Sequence, residues 1–148
     1  MVSSEQASWF AKAAIVLFTA EAAMQLWIAA GIAPVSIVWG GGQNELTPFL
    51  RIASVFAATV LLGFAWVIHQ RSLPLHASWI NVASWFVSGY MMLNTLGNLA
   101  SVSPFERYVS GSVTMILAVC CSVVSSSTTP INSEYERIQV DDSIQLVE

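Results

Sequence analysis

Four apolar stretches, at about residues 9–33, 49–70, 77–98 and 105–124, occupy most of a chain of 148 residues. Each is close to the ~20 residues that cross a ~30 Å hydrocarbon layer as a helix. A backbone in lipid must satisfy its N–H and C=O groups internally, and these runs are too long and continuous for barrel strands. The expected fold class is therefore all-α: an antiparallel bundle of four transmembrane helices with short loops over residues 1–124. The segment 125–148, Ser/Thr-rich and then acidic, reads as a disordered cytoplasmic tail.

Composition excludes several alternatives. With 55% hydrophobic and 9% charged residues, the chain is too apolar for an ordinary water-soluble domain. Five of the nine acidic residues (Glu134, Glu136, Asp141, Asp142 and Glu148) lie in the last fifteen positions, so the net charge of -4 belongs to the tail. Five scattered basic residues cannot neutralise a phosphate backbone, and no nucleic-acid partner is expected. Cys120 and Cys121 are adjacent and read as small buried hydrophobes.

Local punctuation marks the helix ends. Thr47-Pro48 supplies a capping hydroxyl and a proline at the first helical position, and Ser103 with Glu106 has capping-box spacing. Pro34 closes the first segment and Pro74 opens the third. The run Trp39-Gly-Gly-Gly-Gln-Asn-Glu45 reads as a flexible loop, without the lysine of a phosphate loop. An even number of spans puts both termini on one side. Lys12, Arg71 and Arg137 lie on that side against Arg51 and Arg107 on the other, which favours cytoplasmic termini.

Glu21 is the most unusual residue, because the segment 9–33 places it at the bilayer midplane. On insertion scales an acidic residue at a helix centre costs ~2.5 to 3.5 kcal/mol, which cancels the ~2 to 4 kcal/mol from the Leu, Ile, Phe and Val side chains around it. Glu21 is thus expected to face the bundle, protonated or hydrogen-bonded, with Thr59, Ser84, Ser88 and Thr114 at matching depth as partners. Asn81, Ser84, Ser88 and Thr95 share an arc of about 60° on the third helix and form an inward polar stripe. Gln25, one turn from Glu21, joins Asn94, Ser110 and Ser112 as lining for a small polar cavity. The candidate substrate- or proton-binding residues are therefore Glu21, Gln25, Ser84, Ser88 and Asn94. His69 and His76 flank a turn but lack further ligands, so no metal or cofactor is expected. Tyr135-Glu-Arg-Ile138 and Asp142-Ser-Ile-Gln-Leu146 look like sorting signals within a solvated tail.

The stretch Asn94-Thr-Leu-Gly-Asn98, with Ser103 and Glu106-Arg107, resembles a segment of small uncharacterised four-helix membrane proteins. That resemblance implies four helices and no particular activity. The sequence contains no nucleophile-and-base pair, metal cluster or phosphate loop, so catalysis is not expected. The first expectation is an accessory or interaction protein among membrane lipids, alone, as a homo-oligomer or with a membrane-protein partner. The alternative is a small proton-coupled carrier or channel built on Glu21.

Overall fold

The computed structural model describes residues 4–73 and 76–127. Among them are four long helices and no strand: α1 (Ser4–Ala29), α2 (Pro48–Ser72), α3 (Ser78–Ala100) and α4 (Gly111–Ser126). A π-helical segment, Glu106–Ser110, runs directly into α4. Pro74, the tail signals and most of the expected tail lie outside the described residues. Three segments are long and apolar enough to cross a membrane: Glu5–Ala29, Pro48–Ser72 and Glu106–Ser126. α3 is not among them, because Asn81, Ser84, Ser88, Asn94, Thr95 and Asn98 dilute its apolar character.

The first helix ends earlier than hydropathy suggests. Gly31 adopts φ +78, a left-handed conformation open to glycine at little cost. Its N–H donates to the Ile28 carbonyl at 2.9 Å and the next N–H, of Ile32, reaches back to Trp27 at 2.9 Å. This pair of bonds is a Schellman cap, and it stops the helix at Ala29 before Pro34 is reached. With its start at Ser4, α1 has Glu21 eight residues from one end and seventeen from the other. At 1.5 Å per residue, Glu21 sits ~12 Å from the C-terminal end rather than at the helix centre.

The connection from α1 to α2 is neither short nor featureless. It holds two 3-10 turns, Val35–Ile37 and Trp39–Gly41. Val35 and Val38 are buried with Ile28 and Leu50, and Met24, Ala33, Ile37 and Leu46 pack around them. This apolar knot orders the first half of the loop, and hydrogen bonds order the second. α2 then starts at Thr47, whose hydroxyl accepts from the Leu50 N–H at 3.3 Å, with Pro48 at the first helical position.

The outer surface is apolar, and the interior takes in polar side chains beside its apolar ones. Ser54, Ser84, Ser88, Thr95, Ser110 and Thr114 are buried, whereas Val16, Phe49, Ile52, Phe86 and Leu93 stand on the outside. Small residues (Ala7, Ala11, Ala14 and Ala22) bracket Phe18 along the buried face of α1 and allow close approach of its neighbours. Phe18, Ile68, Met91, Leu117 and Cys121 form the central apolar layer. α1 packs most closely on α2, and α3 on α4, while α2 and α3 meet over a smaller area.

Candidate functional site

The weak α2–α3 seam is closed in one half and open in the other. Near the end of α2 and the start of α3, Trp66 stacks on Trp79 with centroids 6.0 Å apart. Further along, Phe18 meets Phe64 edge-on at 6.0 Å and Phe64 meets Tyr90 at 5.2 Å, so aromatic rings bridge α1, α2 and α3. Beyond Tyr90, among the described residues, no ring contact joins α2 and α3. The space between them is a cavity of about 420 Å³, within the range of small-molecule sites.

Each wall has a local reason. α2 presents Ala53 and Ala57, too small to fill the space, and Phe56 at the rim. α1 presents Glu21, Met24 and Gln25, one helical turn of a single face. α3 presents Tyr90, Asn94 and Asn98, each one turn from the next. The π-helical segment and α4 present Glu106, Ser110 and Thr114, so the cavity floor is polar where the outer surface is apolar.

The hydrogen bonds divide these residues into two groups. Asn98 Nδ2 donates to the Thr114 hydroxyl at 3.3 Å, and Thr114 donates to the Ser110 carbonyl at 2.9 Å, so this wall is internally satisfied. Glu21, by contrast, makes no hydrogen bond with any described residue, and Gln25 Oε1 is buried without a partner. An amide oxygen shielded from solvent and unpaired costs free energy, about 1–3 kcal/mol for a buried polar group, and is unusual in native proteins.

Glu106 plays a part that capping-box spacing does not foresee. Ser103 Oγ does accept from the Glu106 N–H, at 3.4 Å. The Glu106 carboxylate, however, does not return to its own helix start. Its Oε2 accepts from the Gly40 N–H at 2.9 Å and from the Ser101 hydroxyl. Ser103 also donates to the Ile37 carbonyl at 3.3 Å, and Trp39 Nε1 donates to Ser54 at 3.2 Å. The α1–α2 loop is thus fastened over the cavity end by a carboxylate and two side-chain hydroxyls. The strain is local: Trp39 has φ +56 and Gly40 and Gly41 have φ +81 and +73.

Of the residues singled out in the sequence, Glu21, Gln25 and Asn94 come together at this cavity, with Ser110. Ser84 and Ser88 do not. Both are buried, but Ser84 donates to the Asn81 carbonyl at 2.9 Å and Ser88 pairs with Ser122 of α4 at 2.6 Å. Thr59 bonds its own helix at Val55 and is exposed, and Ser112 does the same at Tyr108. Thr114 shares the cavity with Glu21 but is committed to Ser110 and Asn98. Asn81 is exposed and bonds His76 at 2.8 Å, which accounts for one histidine; among the described residues no group of three metal-binding side chains occurs. Glu106, Asn98, Trp39 and Tyr90 are lining residues that the sequence reading did not include. The i, i+4 spacing of Asn94 and Asn98 was the one available signal for them. No protein-family model, curated protein or solved structure matches the chain.

Proposed function

We propose that the chain is an integral membrane protein with all four helices crossing the bilayer in antiparallel order, and that its cavity binds and carries a small solute. α3 qualifies as the fourth span on the disposition of its side chains. Its 23 residues reach ~34 Å, and Trp79, Val82, Phe86, Leu93 and Leu96 face outward while Ser84, Ser88 and Thr95 are buried. Antiparallel order is supported by pairs that bring helix ends together: Trp66 with Trp79, and Arg71 with the Ser125 carbonyl. The cation balance, three against two, supports cytoplasmic termini.

One observation carries the functional reading. A cavity inside an apolar bundle holds a carboxyl and an amide that find no partner among the described residues. Ionisable groups at membrane depth are costly, and where they line a cavity they mark solute or proton paths. Glu21 is the group assigned to meet solute or proton, with Gln25 and Asn94 orienting the solute; the reading involves no catalysis.

The test is solute and proton flux in liposomes containing the native chain or Glu21→Gln. Native protein should move a solute with protons, and the variant should lose roughly tenfold or more, the effect of one hydrogen bond to a charged group. Equal flux for the two would refute a role for Glu21. A second reading, an accessory protein that binds other membrane proteins, draws on Gly89 and Gly97, where an added Cβ would meet nothing within 4 Å. Bare backbone of this kind lets a partner helix approach closely. Absence of any flux, together with a stable complex in mild detergent, would favour that reading instead.

A further inference from the structure

The charge of the cavity is one-sided, and so is the burial of its unpartnered polar atoms. Three donors are spent within the walls, Asn98 on Thr114, Thr114 on Ser110 and Trp39 Nε1 on Ser54, while the uncharged donors of Gln25, Asn94, Ser110 and Tyr90 make no hydrogen bond with a described residue. The free acceptors include the charged groups and the one fully buried unpartnered atom among the described lining residues. Gln25 Oε1 is buried and unpartnered, the Glu21 carboxyl bonds no described residue, and Glu106 accepts both its bonds on Oε2, leaving Oε1 without one. The lining contains two acidic residues and no lysine, arginine or histidine. An anion would meet two carboxyl groups with no cation to offset them. A neutral acceptor would leave the amide oxygen unpaired.

Resting on the reading of this space as a solute site, we propose that its ligand is a protonated primary or secondary amine carrying an apolar, preferably aromatic, body. The N–H groups matter as much as the charge. Carboxylates attract any cation, but the Gln25 amide oxygen is satisfied only by a donor, and a quaternary ammonium has none. The apolar body is accommodated by Phe56, Tyr90 and Trp39, whose ring faces attract cations as well as hydrocarbon. Entry from the side fits the position of Phe56, which is 69% exposed on the outer surface of α2 while Leu117 at the back of the cavity is fully buried. An amphipathic amine dissolved at the membrane interface has access to such an opening.

Four probes of one shape test this on the native protein in detergent: 2-phenylethylamine, its N,N,N-trimethyl derivative, 2-phenylethanol and 3-phenylpropanoate, with binding followed by calorimetry. The amine should bind roughly tenfold or more tightly than each of the other three, the discrimination of one charge-assisted hydrogen bond. That preference should shrink in Gln25→Leu and in Glu21→Gln, each checked for an unchanged melting profile. Equal or tighter binding of the trimethyl derivative, the alcohol or the carboxylate overturns the amine assignment and leaves the cavity reading in place. Failure of all four to bind, at concentrations where the native chain still carries some solute in liposomes, also overturns the assignment. Failure to bind together with absence of any flux overturns both.

Discussion

Replacing Gly41 by alanine should loosen the whole cavity end, and its two glycine neighbours provide the controls. A Cβ at Gly41 would lie 2.7 Å from Ser103 Cβ and 2.8 Å from Ser103 N, closer than real contacts allow and partly against backbone. The left-handed φ of +73 adds ~1–2 kcal/mol for a non-glycine residue. Relief requires the α1–α2 loop to move off Ser103. That movement costs the Ser103–Ile37 bond, ~0.5–1.5 kcal/mol, and the charge-assisted Gly40–Glu106 bond, ~1.5–3 kcal/mol. The summed loss is about 3–6.5 kcal/mol. Gly40→Ala meets open space and should cost only its left-handed strain of ~1–2 kcal/mol. Gly42→Ala, at φ -88 with nothing nearby, should be neutral or stabilising by ~0.4–1 kcal/mol through the unfolded chain. Unfolding in mixed micelles, followed by tryptophan fluorescence, gives the three values. If Gly41→Ala and Gly40→Ala are equally stable, the two loops do not touch and the account of the cavity end is wrong.

Two further outcomes follow from the packing. Cys120 and Cys121, 3% and 0% exposed, should resist alkylation by a membrane-permeable maleimide in the folded protein and react only on unfolding; rapid labelling of either would show α4 packed differently. Ser88→Ala should lower stability by only ~0.5–1 kcal/mol in the same micelle assay, because Ser122 retains its bond to the Ala118 carbonyl at 2.8 Å; a loss several times larger would make the Ser88–Ser122 pair a major tie between α3 and α4.

The helices were legible because hydropathy over twenty residues is a local property, while their ends depended on particular atoms. The first helix stops at Ala29 because Gly31 turns left-handed, a choice that an apolar run continuing to Ala33 conceals. The glycine run read as a flexible loop, yet Val35 and Val38 bury themselves and Glu106 binds Gly40 from sixty-six residues away. No local pattern announces a bond of that span. Grouping Glu21 with Gln25 and Asn94 required only helical periodicity and matched depth. Separating Ser84 and Ser88 from them required more, because an inward serine can serve its own helix backbone or a neighbour equally well, and here it does both.

The cavity itself follows from how unevenly the seam between α2 and α3 is filled. Where aromatic side chains fall on facing turns, at Phe64, Trp66, Trp79 and Tyr90, the helices are held by rings in contact. Where α2 offers Ala53 and Ala57 opposite Asn94 and Asn98, there is too little volume to fill the gap and too much polarity for lipid chains to enter it favourably. Such a space stays open only if something other than packing fixes its end, and that role falls to Glu106 through Gly40 and Ser101. A single carboxylate therefore both lines the cavity and fastens the loop above it. Anything that competes for Glu106 Oε2 from inside the cavity acts directly on the fastening, which ties occupancy of the site to the stability of the loop.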